Sequence, residues 1–300
     1  RQRQMCIRDR LRINVSRIET LGSEKSFIAP SLLLCVGSDL LPTIRIGSAR
    51  VTRLIVGGNP FSGNSHQGRA MDVEMRNYYT VQRIKDTLRQ CEEAGINTWQ
   101  SRGDNFMTRV LNEYRMEGGF LQWIAQTASE RRDTIANIHQ IAQFEPIAVY
   151  HHGTRTDRLY LNGKLEEVGR YIDEIRSLGF PAGVGTHLPE VVLRCEEMGL
   201  NPDFYMLSFY NCTDKGDGYD PEDRVKACEV MRRISRPFLA FKVMAAGRND
   251  PIDALRFAFR NIKPTDAVVV GVYTKNDPDQ VFENASIVRY LLGKGQGRAK

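Results

Sequence analysis

None of the six cysteines pairs in a CxxC spacing. No stretch approaches the ~18 consecutive apolar residues that a membrane-spanning helix needs. The first absence argues against a zinc ribbon or a redox pair. Cys91, Cys195 and Cys228 fall on apolar faces of expected helices, so reduced core thiols and a cytoplasmic setting are expected. A block of one charge is also missing. The formal net charge is +6, but Lys and Arg are interspersed with Asp and Glu throughout. That argues against a nucleic-acid stripe and permits an anionic small substrate. A clean export signal is lacking too. Phe27 to Leu41 is moderately apolar, yet no h-region leads to a small-residue cleavage site.

Residues 1–12 are nearly all polar or basic, and Met5-Cys6-Ile7-Arg8-Asp9-Arg10 resembles translated sequencing-adaptor sequence. Residues 1–42 are therefore expected to be an extension, partly non-native or disordered. Residues 293–300 read as a tail, with one domain over 43–292.

What is present is a recurring unit. Thr43 to Ile46 and Val51 to Arg53 flank Gly47-Ser48-Ala49 and read as a small hairpin. Leu54 to Pro60 follows as a buried strand, and 61–79 reads as a long polar loop. Val81, Ile84, Leu88 and Cys91 mark an amphipathic helix closed by Ala94-Gly95. Further strands open at Ile96, Leu121, Ile147, Ala182, Phe204, Pro237 and Ala267, each followed by a helical apolar period. Eight strand–helix units without a gap predict a closed parallel (β/α)8 barrel, with the hairpin capping its amino-terminal mouth.

The pivotal stretch is Pro237 to Arg248. It is an apolar strand with Lys242 near its carboxyl end and a small-residue loop closed by Gly247-Arg248, a fair phosphate cradle. In a barrel the carboxyl ends of the strands share one mouth. Reading those ends off gives Asn59, Arg102, Asp104, Asn105, His151, His152, His187, Asn211, Lys242, Arg248 and Lys275. One site built from them is general acid/base, with His152 or His151 moving protons and Lys242 or Arg102 holding an oxyanion. A metal site of His152, His187 and Asp104 has less support, because no HxH or HxxxH spacing backs it. Lys242 as an imine-forming amine is a third arrangement. Its place inside the strand run, two positions before the loop, points toward a chemical role.

Val51-Thr52-Arg53-Leu54, Gly95-Ile96-Asn97-Thr98, Gly183 through Glu190, Tyr210-Asn211, Ala240 through Gly247 and Gly271 through Asn284 resemble the aldo/keto reductase superfamily, over about 43–292. The resemblance implies the barrel and an NADP or NAD cofactor. It implies that Phe241 stacks on the nicotinamide and that Gly271, Lys275, Glu283 and Asn284 serve the adenosine-phosphate end. The pattern departs at the catalytic tetrad. Gln100 stands at the aspartate position, Asn105 at the tyrosine and Thr127 at the lysine; only the strand-four histidine survives, as His151 or His152. The carboxamide ligands fall on Gly185, Thr186 and Leu207. The expectation is an NAD(P)-linked oxidoreductase of a small carbonyl or sugar-like substrate, with Asn59, Asn105, His187 and Asn211 on the substrate. The alternatives are a non-redox isomerase or lyase using His152 and Lys242, and a non-catalytic binding barrel.

Overall fold

The chain enters on an antiparallel hairpin, β1 (Thr43–Ile46) and β2 (Ala49–Thr52), whose Ile44, Ile46 and Val51 are buried. These side chains plug the floor of a closed barrel. Asn97 and Gln122, at the starts of two barrel strands, both donate to the Arg50 carbonyl. A Cβ on Gly47 would sit 2.5 Å from Pro181 at the start of a third. The hairpin therefore seals the amino-terminal mouth, as expected. The structure, a computed structural model, describes residues 40–210 and 219–293.

Eight parallel strands close the barrel: β3 (Leu54–Gly57), β4 (Thr98–Arg102), β5 (Gln122–Gln126), β6 (Ala148–His151), β7 (Ala182–Thr186), β8 (Phe204–Ser208), β9 (Phe238–Phe241) and β10 (Ala267–Gly271). Each pairs with its sequence neighbours, and β10 returns to β3 through Val268–Leu54 to Gly271–Gly57. Burial on both faces is why β3, β6, β8, β9 and β10 read as near-continuous apolar runs, whereas β4 is buried through Thr98 to Ser101 but mostly polar. Alternate side chains fill the lumen: Ile55, Ile124, Ala148, Phe204, Leu239 and Ala267 low down, then Tyr150, Met206 and Val269. Small residues make room for large ones. A Cβ on Gly183 of β7 would lie 2.4 Å from the Phe204 ring. The intervening side chains face the helices.

The helices are α1 (Arg69–Tyr78), α2 (Val81–Glu93), α3 (Asn105–Met116), α4 (Thr134–Ala142), α5 (Gly153–Leu161), α6 (Glu167–Ser177), α7 (Pro189–Glu197), α8 (Asp223–Arg233), α9 (Pro251–Asn261) and α10 (Gln280–Gly293). Among the described residues, none is long and apolar enough to cross a membrane.

Two helices were not expected from the sequence. The supposed loop over 61–79 contains α1, which buries only Met75 and so leaves almost no apolar period to read. α5 stands between β6 and the amphipathic α6. Its buried positions are Gly153, Thr156 and Asp157, none of them apolar in the usual sense. A third difference concerns the pivotal stretch. β9 ends at Phe241, and Lys242 has φ 56°, the left-handed region. Lys242 is thus the first loop residue, which removes the ground for giving it a chemical role. Ala245, Ala246 and Gly247 also have positive φ. Left-handed backbone costs a non-glycine residue roughly 1–2 kcal/mol, and such strain gathers at functional loops.

Candidate active site

A cleft of about 610 Å³ opens at the carboxyl ends of the strands. Of the side chains expected there, Asn59, Arg102, His152, His187, Phe241 and Lys242 line it, together with Gly247 and Gly271. Tyr150 and Gln100 form its floor, joined by a 2.7 Å hydrogen bond from Gln100 Nε2 to the Tyr150 hydroxyl. Burial pushes that hydroxyl's pKa well up, so Tyr150 is a hydrogen-bonding phenol and no ready acid.

Strand alternation explains why only one histidine of the adjacent pair is present. Tyr150 and His152 share the inward parity, and His151 points out between β6 and the helices. There its Nδ1 meets Thr156 Oγ1 at 2.8 Å and its ring stacks on Tyr171 of α6, centroids 4.7 Å apart. Burial, with the nearby charges of His152 and Arg155, lowers the His151 pKa to about 3. In the unfolded chain it returns to about 6.5. Between those values the unfolded state binds more protons, so this contribution is complete above about pH 6.5 and fades as pH falls toward 3. The fall in urea midpoint from about pH 7 to about pH 5 should therefore be smaller in His151→Gln than in the unmutated protein. An equal fall in the two proteins would contradict it.

His152 is the N-cap of α5, and its Nδ1 accepts the Thr154 backbone N–H at 3.2 Å. Its own N–H donates to Thr127 Oγ1 at 3.0 Å. With Nδ1 accepting, the neutral ring carries its proton on Nε2 and is a donor there. Burial, then the positive charges of Arg102, His187, Arg155 and Arg158, lower its pKa to about 3. His152 is thus a neutral hydrogen-bond donor across the working pH range.

His187 is wired the opposite way. Its Nδ1 lies 2.7 Å from Asp157 Oδ2, and both side chains are only 12% exposed. The carboxylate also accepts from Thr186 Oγ1 and the His187 backbone N–H. A carboxylate only accepts, so Nδ1 carries the proton and Nε2 of the neutral ring is the basic nitrogen. The ring stands edge-on to Phe241, with centroids 5.3 Å apart and planes at 76°. One helix thus sets both histidines, capping itself with His152 and reaching His187 through Asp157.

The remaining candidates have other places. Asp104 caps α3 by accepting from Met107 N at 2.8 Å, and Asn105 accepts from Arg131 and Gln140. Lys275 pairs with Glu74 of α1 at 2.6 Å, and Arg248 donates to the Ala245 carbonyl at 2.9 Å. Asn284 is buried under β3 and β10, with Oδ1 unpartnered. Like Glu283, these five do not line the cleft. Asn211 lies outside the described residues. Among the described residues, no three His, Cys, Asp or Glu side chains gather as a metal site would require.

Asp157, Arg155 and Arg158 do not stand out in the sequence, because polar residues inside a short helix read as its solvated face. The available signal was their position within one or two turns of the strand-end His151-His152.

No protein-family model and no curated protein sequence matches the chain. Solved structures do. A putative aldo-keto reductase from Pseudomonas aeruginosa superposes with a TM-score of 0.59 at 16% identity, over 85% of this chain and 97% of that one. A glycerol dehydrogenase from Gluconobacter oxydans gives 0.53 at 12%, over 86% and 97%. An N-acetylmannosamine-6-phosphate 2-epimerase from Clostridium perfringens gives 0.50 at 14%, over 91% and 100%. The barrel is thus similar to those of aldo-keto reductases, and also to that of a non-redox enzyme. At these identities the likeness is one of fold, and the chemistry has to be argued from the cleft.

Proposed function

We propose that the protein is a nicotinamide-linked oxidoreductase of a small hydroxy or carbonyl compound, with the His187–Asp157 pair doing the proton work. The observation that carries this reading is the placing of that pair edge-on to Phe241, 5.3 Å between ring centroids. The aldo/keto reductase pattern has lost its aspartate, tyrosine and lysine here. The dyad supplies a replacement base beside the aromatic platform.

The residues present fit such a cofactor. Phe241 offers a ring at the cleft wall, and Lys242 adds a cation next to it, its Nζ 6.0 Å from the Phe241 centroid. The turn at 242–247 brings backbone and Gly247 to the cleft edge, and Gly271 and Tyr273 line the wall from β10. When bound, the nicotinamide ring would take or give the hydride. In the oxidative direction, His187 Nε2 accepts the proton of the substrate hydroxyl, and Asp157 stabilises the resulting imidazolium. His152 Nε2–H donates to the same oxygen and orients it. In the reductive direction the protonated His187 returns that proton.

One observation favours a second reading. The residues of β7 and β8 that line the cleft are Gly185 and Met206, neither with a side chain to hold a carboxamide, and the hydroxyl of Ser208, paired with Phe241, is given to the Tyr210 carbonyl. The same base and donor would then serve proton abstraction next to a carbonyl, in an isomerase or lyase. The test is incubation of the protein with small hydroxy and carbonyl acids, with and without NADPH or NADP. The oxidoreductase reading expects conversion coupled to a change in reduced-nicotinamide absorbance. Cofactor-independent exchange of a substrate C–H in deuterated water, without redox change, would replace it with the second reading.

A further inference from the structure

Across the barrel from Phe241, the cleft wall is cationic. β5 lies opposite β9 in the closed ring, and the guanidiniums flank β5 on both sides. Arg102 ends β4, while Arg155 and Arg158 come from α5 after β6. His152, Arg155 and Arg158 recur every three residues, so one face of α5 turns all three toward the cleft. Asp157, on a neighbouring face, is committed to His187 and its surroundings.

Among the described residues, Arg102 has carboxylate partners, and Arg155 and Arg158 have none. Arg102 is paired with Glu130, a side chain 49% exposed, and lies 3.5 Å from Asp104. That 3.5 Å approach is made by its buried Nε to Asp104 Oδ2, an ion pair without hydrogen-bond geometry. Arg155 donates to the neutral Thr134 hydroxyl at 2.7 Å. The Arg158 side chain is exposed and has no side-chain partner among the described residues. Glu130 is the only acidic residue among the described residues that line the cleft. The lowered pKa of His152 has these three arginines among its causes, which agrees with their standing close to one imidazole.

We infer that the substrate of this cleft carries a carboxylate or phosphate group, held by Arg102, Arg155 and Arg158 across the barrel from Phe241. The inference rests on the reading of this cleft as the active site. It holds for either the redox or the non-redox chemistry proposed above. Guanidinium groups suit it because they bind oxyanions through paired N–H donors. With the anionic end fixed there, the next carbons reach the His152 donor and the His187 base. The substrate is thus a short hydroxy or oxo acid, or a short phosphate ester.

Calorimetric titration of the cofactor-free protein tests it, using inorganic phosphate and two matched pairs: lactate against lactamide, and glycerol phosphate against glycerol. At least one charged member should bind about tenfold or more tightly than its neutral match. Arg158→Gln and Arg155→Gln should each weaken that binding about tenfold, with circular dichroism unchanged. Arg109→Gln, whose side chain is 73% exposed elsewhere on the surface, should leave it unaltered. The tighter pair assigns the group as carboxylate or phosphate. Equal binding of charged and neutral members, no binding of any anion, or an equal loss in Arg109→Gln would overturn the proposal. Arg158 is exposed, so Arg158→Gln decides the matter even if Arg155→Gln fails to fold. Because no cofactor enters the titration, failure of the oxidoreductase reading leaves the result unaffected.

Discussion

Asp157→Asn should lower turnover by roughly a hundred- to ten-thousand-fold, with little change in KM. The numbers of donors and acceptors around Asp157 set this loss. Three donors converge on the Asp157 carboxylate: Thr186 Oγ1, the His187 backbone N–H and His187 Nδ1. An amide has one accepting oxygen in place of two. If that oxygen keeps Thr186 and the backbone, the new NH₂ faces Nδ1 and drives the imidazole proton to Nε2. The ring then presents a donor where a base is needed. Asp157 does not line the cleft, so substrate contacts survive, which is why KM is expected to hold. It is a positioning residue, and the base is His187. His187→Gln should give a loss of the same order. Nitrogen chemical shifts of His187 report the tautomer change directly, apart from any effect on stability. A loss below about tenfold in Asp157→Asn would remove the dyad from the mechanism.

The second large effect concerns Lys242. As the first residue past β9, beside Phe241 at the cleft wall, it is placed to act as an electrostatic clamp on a cofactor phosphate. Lys242→Met should then weaken NADPH binding by about ten- to a hundredfold, the loss of one charge-assisted contact at about 1–3 kcal/mol. Lys242→Arg should stay within a few fold of the unmutated protein in both affinity and turnover, because the charge is kept. A proton-transfer or imine-forming amine would behave differently, since a guanidinium stays protonated and cannot replace it. Lys242→Arg inactive with cofactor affinity intact would restore the chemical role.

The barrel was legible in the sequence because most strands, buried on both faces, leave an apolar run, and Gly or Pro stands just before most of them. The mouth was legible because strand ends can be read once the strands are placed. What was lost came from parity and from polar helices. His151 and His152 are equivalent in sequence, and only the direction of β6 tells that one faces Tyr171 and the other the cleft. Apolar periodicity finds helices that pack, and α5 packs through Gly153, Thr156 and Asp157. Its service to the site is what hid it. The end of β9 was misplaced by two residues because a lysine in left-handed backbone carries no local sequence mark.

Fluorescence titration of NADPH, and separately NADH, into the unmutated protein and Phe241→Ala decides whether a nicotinamide cofactor binds in this cleft. At least one cofactor should bind saturably to the unmutated protein. Phe241→Ala should bind it three- to tenfold more weakly, about the value of one aromatic stacking contact. Absence of binding by either cofactor to the unmutated protein would contradict the oxidoreductase reading, and would leave the His187–Asp157 pair as the base of a non-redox enzyme.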